Sequence, residues 1–170
     1  MKYSKIHWDF EQIFKSRNIL VDDIYNDDEA SLFPSEAKVY IQDGVLSYFV
    51  PKEFGGKFQN LLQVFVMGRC LARRNVSTAI AIGQSFLGSI PVWIEGSDSL
   101  KQRLAQSLKA KGANCLALTE LEHGSDLLSS ECILSDNTLS GTKWCINNAT
   151  LGASMSVLCR DGSGVSLVFI

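Results

Sequence analysis

The hydrophobic period of this chain changes once, near Gly112, and that change limits the fold more than any other feature. Before it, apolar residues recur at helical spacing; after it, they alternate in short runs divided by turn residues. Helices first and strands afterwards imply an α+β chain. The expected division is an amino-terminal helical bundle over residues 1–113 and a partial β-barrel or sheet domain over residues 114–170.

The helical part divides at its own signals. Ile6, Phe10, Ile13 and Phe14 share one face of a helix predicted over residues 5–17. An acidic connection, Asp22–Glu29, follows, and Pro34 opens a helix that continues through Ala37–Gln42 and stops near Asp43-Gly44. Val45–Gly56 reads as an extended segment ending in a double-glycine turn. Helical spacing resumes at Phe58, Leu61, Leu62 and Phe65 and runs to Arg74. Val76–Ile94 is apolar and long enough to suggest a membrane span. Gln84, Ser85, Ser89 and Pro91 interrupt it, however, and it lacks a basic flank on one side, so a buried central helix is expected and no transmembrane segment. Over residues 96–112 Ser97 or Asp98 caps the start of the next helix. Leu100, Leu104 and Leu108 form its stripe, and Gly112 ends it.

The β part is predicted from turn chemistry. Leu116–Thr119 is a short strand ending on a hydroxyl, and Glu120–Asp126 is a polar loop around Gly124. Glu131–Ser135 and Thr138–Ile146 form a hairpin about Asp136-Asn137; Met155–Arg160 and Val165–Ile170 form another about Asp161–Gly164. The last run is strongly apolar. It is expected either to pair inside a small sheet or to be covered by another chain, and the sequence reads as interrupted there.

Composition removes several classes of function. A hydrophobic share of 46% with three prolines describes a globular chain that can bury a core, not a disordered one. A net charge of -2 supplies no footprint for nucleic acid or anionic lipid. Cys70, Cys115, Cys132, Cys145 and Cys159 have no metal-ligand or disulfide spacing, and with only two histidines no metal site is expected. They read as buried free thiols in a reducing compartment. Residues 1–10 lack the apolar core of a signal peptide, so a cytoplasmic location is expected and the Asn75 and Asn148 sequons carry no meaning. Gly162–Ser166 resembles a nucleophile elbow in composition only, with no histidine partner.

Chemistry concentrates in Leu116–Ala149. The order Thr119-Glu120, then Gly124-Ser125-Asp126, then Gly141, Lys143, Ile146 and Asn148 resembles the flavin-binding signature of the acyl-CoA dehydrogenase family. Pro51, Phe54, Gly55 and Gly56 are similar to a turn near the amino end of the same family. The resemblance covers the family's helical amino-terminal domain and about half of its middle β domain, without the carboxy-terminal helical bundle. It implies FAD as cofactor and oxidation of an acyl thioester, on CoA or a carrier protein, to the 2,3-enoyl thioester. It further implies a flavin site drawn from Leu116, Leu118, Thr119, Ser125, Cys145, Ile146 and Asn147. Leu118 and Thr119 would lie near the pyrimidine side and Cys145–Asn147 near the hydride-accepting edge. Ser125 would lie near the pantetheine arm or the cofactor phosphates.

Three positions depart from the pattern: Leu121-Glu122 replaces a proline-glycine pair, Cys145 an aromatic residue, and Asn147 a hydroxyl residue. If 144–146 were a strand, Trp144 would point to the opposite face from the family's aromatic ring. The family's catalytic glutamate comes from the carboxy-terminal bundle, so no catalytic residue is expected in this chain; Glu120 and Glu122 are poor substitutes. Three expectations stay open. One is an oligomeric enzyme, either of identical chains or with a second chain that supplies the bundle and glutamate. The others are a non-catalytic interaction protein and a decayed enzyme.

Overall fold

The structure, a computed structural model, describes residues 3–15, 34–151 and 154–170. The acidic connection Asp22–Glu29 lies outside them. Among the described residues, five α-helices precede a mixed five-stranded sheet: α1 Tyr3–Lys15, α2 Ser35–Gln42, α3 Leu61–Ala72, α4 Val76–Glu95 and α5 Asp98–Lys109. The strands are β1 Asn114–Ala117, β2 Ile133–Ser135, β3 Thr138–Ser140, β4 Ser154–Asp161 and β5 Gly164–Phe169. The α+β order therefore stands.

Side-chain caps set the helix starts. The amide oxygens of Asn60 and Asn75 accept from the backbone N–H groups of Gln63 and Thr78, and the Ser97 hydroxyl accepts from Leu100. The end of α5 differs from expectation. Lys111, not Gly112, takes the left-handed conformation (φ 71), while Gly112 N–H reaches back to the Ser107 carbonyl. The segment expected to be extended, Val45–Gly56, instead forms two 3-10 turns, Val45–Phe49 and Lys52–Phe54. Val45, Leu46 and Phe49 reach the core together only on such a turn, and the double glycine fits tightly: a Cβ on Gly56 would sit 1.9 Å from the Val50 carbonyl oxygen.

Helix α4 is the centre of the molecule. Length and composition alone would let it cross a membrane. Here it packs against α2, α3, α5, β1 and β4 and buries Thr78, Ala81, Ile82, Ser85, Gly88, Ser89 and Val92. At the other side of the bundle α1 is fastened to α3 by Arg74, which donates to both carboxylate oxygens of Glu11.

Strand β4 organises the sheet. One edge pairs in parallel with β1 (Asn114↔Ser154 to Ala117↔Val157) and then with β2 (Ile133↔Arg160). The other edge pairs antiparallel with β5, from Ser156↔Phe169 to Asp161↔Gly164. The apolar end of the chain is thus paired on one side, while its outer edge has no partner among the described residues. One face of the sheet lies on α4, where the Ser156 hydroxyl donates to the Gly88 carbonyl at 2.6 Å. The opposite face gathers Ala117, Cys132, Val157 and Cys159 into a second apolar cluster with Leu134, Leu139, Ile146, Met155 and Val168.

Both predicted hairpins are present. Asp136 and Asn137 each have positive φ (50 and 59), the backbone of a tight two-residue turn. At the second turn Asp161 accepts from the Ser163 hydroxyl and the amides of Ser163 and Gly164, so Ser163 is a turn residue and not a nucleophile. The strand predicted to reach Ile146 stops at Ser140. Gly141 (φ 150) lies so close to Cys132 that a Cβ would fall 2.7 Å from its Cα, and the chain then turns inward.

The contact between α4 and β1 is equally close. A Cβ on Gly88 would stand 2.3 Å from the Cys115 carbonyl oxygen, backbone against backbone. Alanine would gain about 1 kcal/mol in helix propensity and lose about 3 kcal/mol to overpacking. Gly88→Ala is expected to cost about 2 kcal/mol net, read as a lower urea midpoint at unchanged slope.

Candidate functional site

The site stretch is built around one buried carboxylate. Glu120 follows β1, and its side chain is nine-tenths buried, as is that of Lys143. Its Oε1 accepts from Lys143 Nζ at 2.6 Å, the Ser130 hydroxyl at 2.6 Å and the Cys132 N–H at 3.2 Å. Its Oε2 accepts from the Glu131 N–H at 2.7 Å. Lys143 completes its three bonds with the Ser130 hydroxyl and the Leu118 carbonyl, each at 3.1 Å. Burial by itself would raise the Glu120 pKa. The ammonium of Lys143, the Ser130 hydroxyl and the two amides reverse that and hold it at about 2.

These bonds explain where the strands end. Beyond Ala117 the carbonyls of Leu118 and Thr119 are taken by Lys143 Nζ and by the Trp144 N–H (2.8 Å), not by a neighbouring strand. So β1 stops before Leu118 instead of reaching Thr119. Likewise β2 begins at Ile133, because the amides of Glu131 and Cys132 are turned to the Glu120 carboxylate. A carboxylate saturated in this way and held ionised is a poor proton acceptor. Glu122 is exposed, and Glu131 pairs with His123 at 2.9 Å, which raises the histidine pKa.

The structure brings Leu118 and Thr119 together with Trp144 and Cys145 through that single Thr119–Trp144 backbone bond. Leu116 lies within β1, half-buried and paired with Ser156. Ile146 is half-buried in the second apolar cluster. Asn147 is exposed. Ser125 stands apart in the exposed turn leading to Leu127–Ser129, and no hydrogen bond joins its side chain to the others among the described residues.

Two sequence expectations change here. Cys145 is exposed, unlike the other four cysteines, all of which are buried and free. It also adopts positive φ (53), so residues 144–146 are not a strand and the alternation argument for Trp144 does not apply. Trp144 is 51% exposed. Sequence reasoning passed over Ser130, which has no motif of its own, and the Glu131 and Cys132 amides, which leave no residue-type signal. Asn148 was read only as a motif match. In the structure its side-chain amide donates to the Ala81 carbonyl in α4 at 2.7 Å and to the Asn114 carbonyl in β1 at 3.2 Å.

Elsewhere, His7, Glu11 and Cys70 place donor atoms within 4.8 Å of one another. Arg74 occupies the carboxylate of that group, holding the Glu11 pKa at about 2, and burial pushes the Cys70 thiol up to about 11. A guanidinium beside a protonated thiol describes a staple between helices better than a cation site.

Solved structures have the same fold. A glutaryl-CoA dehydrogenase from Mycobacterium smegmatis in complex with FADH2 superposes with a TM-score of 0.82 at 21% identity, over 99% of this chain and 45% of that one. An acyl-CoA dehydrogenase from Bacillus anthracis complexed with FAD gives 0.77 at 23% identity, over 99% and 30% of the two chains. Helices leading into a mixed sheet in this order are thus the amino-terminal and middle architecture of acyl-CoA dehydrogenases. In sequence, the probable acyl-CoA dehydrogenase FadE25 of Mycobacterium tuberculosis is 30% identical over 124 residues, 72% of this chain and 31% of that protein. The chain belongs to the acyl-CoA dehydrogenase family, as a counterpart of its amino-terminal and middle portion. It spans about a third of the length of the curated relatives it matches. No protein-family model matches it.

The Glu120 node sets an acid limit. With its folded pKa lowered from 4.5 to about 2, the carboxylate contributes stability that is fully present above pH 4.5 and lost as pH falls towards 2. Glu120→Gln is expected to flatten the loss of stability across that window, measured by urea unfolding at several pH values. Lys143→Met leaves the carboxylate buried without its cation and is expected to cost about 3 kcal/mol at neutral pH.

Proposed function

We propose that this chain supplies one wall of the flavin site of an oxidoreductase acting on acyl thioesters, carried on CoA or on a carrier protein. The observation that carries the reading is the backbone bond from the Trp144 N–H to the Thr119 carbonyl, which joins the two signature segments, Thr119-Glu120 and Gly141–Asn148, and leaves the Trp144 indole exposed. The residues fit FAD in kind. The Thr119 hydroxyl has no hydrogen-bond partner among the described residues, and Cys145 and Asn147 are exposed in the segment whose Trp144 N–H bonds to the Thr119 carbonyl. Leu118, Thr119, Cys145, Ile146 and Asn147 would hold the ring, with Leu116 behind them in the strand and Ser125 towards the pantetheine arm or the phosphates.

Bound there, FAD would supply the hydride acceptor for a reaction that moves the α proton to a carboxylate and the β hydrogen, with its electron pair, to the cofactor as the double bond forms. The chain's own part is to fix dipoles around the ring and to keep the buried Glu120 carboxylate out of the proton transfer. Glu120 is committed to Lys143, Ser130 and two amides. The base therefore comes from other polypeptide, in our reading a partner chain that also supplies helices over the site. Exposed Leu121, Leu128 and Trp144 beside the loop give such a chain an apolar surface to cover. The free thiols support a cytoplasmic setting.

A second reading keeps the fold without the flavin. Cys145 favours it, since a thiol replaces the ring that family members place against the cofactor. The absorbance spectrum of the protein purified from its source, with mass spectrometry of what accompanies it, separates the two. A flavin band, a second polypeptide and acyl-thioester-dependent bleaching of the band are expected. A colourless solitary chain that takes up no added FAD would overturn the flavin reading in favour of the second.

A further inference from the structure

Lys143 and Asn148 bracket four residues, Trp144–Asn147, three of which are exposed. The two bracketing side chains point the other way, into the molecule. Lys143 spends all three of its N–H donors on Leu118, Glu120 and Ser130, on the far side of the loop that follows β1. Asn148 spends both N–H donors of its amide on Ala81 of helix α4 and Asn114 of strand β1. Two carbonyl acceptors also settle which end of that amide faces inward. One anchor thus ties the segment to the loop and the other ties it to the helix and the sheet.

The segment between them has an unusual backbone. Cys145 has left-handed φ (53) without being glycine, a conformation that is costly for a residue with a Cβ and is held by its surroundings, while Asn148 (φ 67) is of a residue type that tolerates it well. Within the segment the fixed points are the Trp144 N–H on the Thr119 carbonyl and Ile146 in the second apolar cluster. On the carbonyl side of Asn147 the Ala149 N–H donates to the Ile146 carbonyl at 3.3 Å and closes a turn, and the Asn148 side chain ties that turn to α4 and β1.

We propose that Lys143 and Asn148 are a pair of positioning residues. They hold Trp144–Asn147 in one conformation before a cofactor arrives, so that ordering the segment is not a cost of binding. The inference rests on the flavin reading for what is bound, and on the hydrogen bonds alone for the clamp. Asn148 is the more informative of the two, because glycine can replace its backbone role and not its side-chain role.

The test uses the purified protein with any partner chain retained, and compares wild type with Asn148→Gly and Lys143→Arg. Three quantities are read: FAD dissociation constant by fluorescence titration, amide exchange by mass spectrometry, and thermal midpoint. Asn148→Gly is expected to speed exchange across residues 144–147, leave the exchange of α1 and α3 unchanged, and weaken FAD binding about tenfold, as for two lost hydrogen bonds of modest net value. Lys143→Arg keeps the charge and is expected to fall between wild type and Asn148→Gly in both readouts. Unchanged exchange at 144–147 in Asn148→Gly overturns the clamp, whatever the flavin does. Faster exchange everywhere together with a lower thermal midpoint overturns it too, since the residue is then a general stabiliser. Faster exchange at 144–147 in a protein whose wild type takes up no FAD keeps the clamp and overturns the flavin reading instead.

Discussion

The rest of the structure depends on how closely helix α4 approaches strand β1. At Gly88 the helix meets the Cys115 carbonyl with no room for a methyl group. Polar groups on both sides are satisfied across the contact. Asn114 donates its backbone N–H to the Ser85 hydroxyl and its side-chain amide to Ser89, and its side-chain oxygen accepts from the Cys115 N–H. The Ser89 hydroxyl returns to the Ser85 carbonyl, and Ser156 reaches the Gly88 carbonyl. A buried polar network of this kind is tolerable only when every member has a partner. Once formed, it fixes one rotation of the helix and one register of the sheet. The site then takes its place by extension, because Asn148 bonds to the same helix and the same strand.

Next to this seam the Glu120–Lys143 pair has a different task. An ion pair buried without water adds little stability over apolar packing and gains its value from specificity. Here the specificity is geometric. The carboxylate gathers Ser130 and two amides, the ammonium gathers Leu118, and the loop 120–131 can close in one way only. The same commitment spends the Glu120 carboxylate on the fold of its own loop.

Much of the helical half was legible because its signals are local. Ser97 caps its helix through its own side chain, and the Leu104 and Leu108 stripe is buried as its spacing implies; the caps at Asn60 and Asn75 emerge only from the structure. The turn at Asp136-Asn137 was legible for the same reason. Val45–Gly56 was not. Its apolar residues suit an extended run, and only the packing of Leu46 and Phe49 into the bundle selects 3-10 turns. The strand ends at Leu118 and Glu131 were misjudged because partners distant in sequence capture their backbone groups, and the end at Ser140 because Gly141 closes on Cys132. Of the site, the motif residues were visible as types. Their arrangement was not, since it depends on a lysine side chain, a serine and two amides that no local pattern announces.

The parallel pairing of β1 with β4 has a consequence in time. These strands enclose residues 118–153, which hold the site stretch from Leu118 onward, so their ladder forms only when that long loop is closed. The hairpin of β4 with β5 and the helices with their caps need no such closure. Closure entropy grows with loop length, and contacts distant in sequence form slowly. During synthesis or refolding the site is therefore the part of this chain with the longest exposure before it is sealed. Its order is acquired from a frame that has already set.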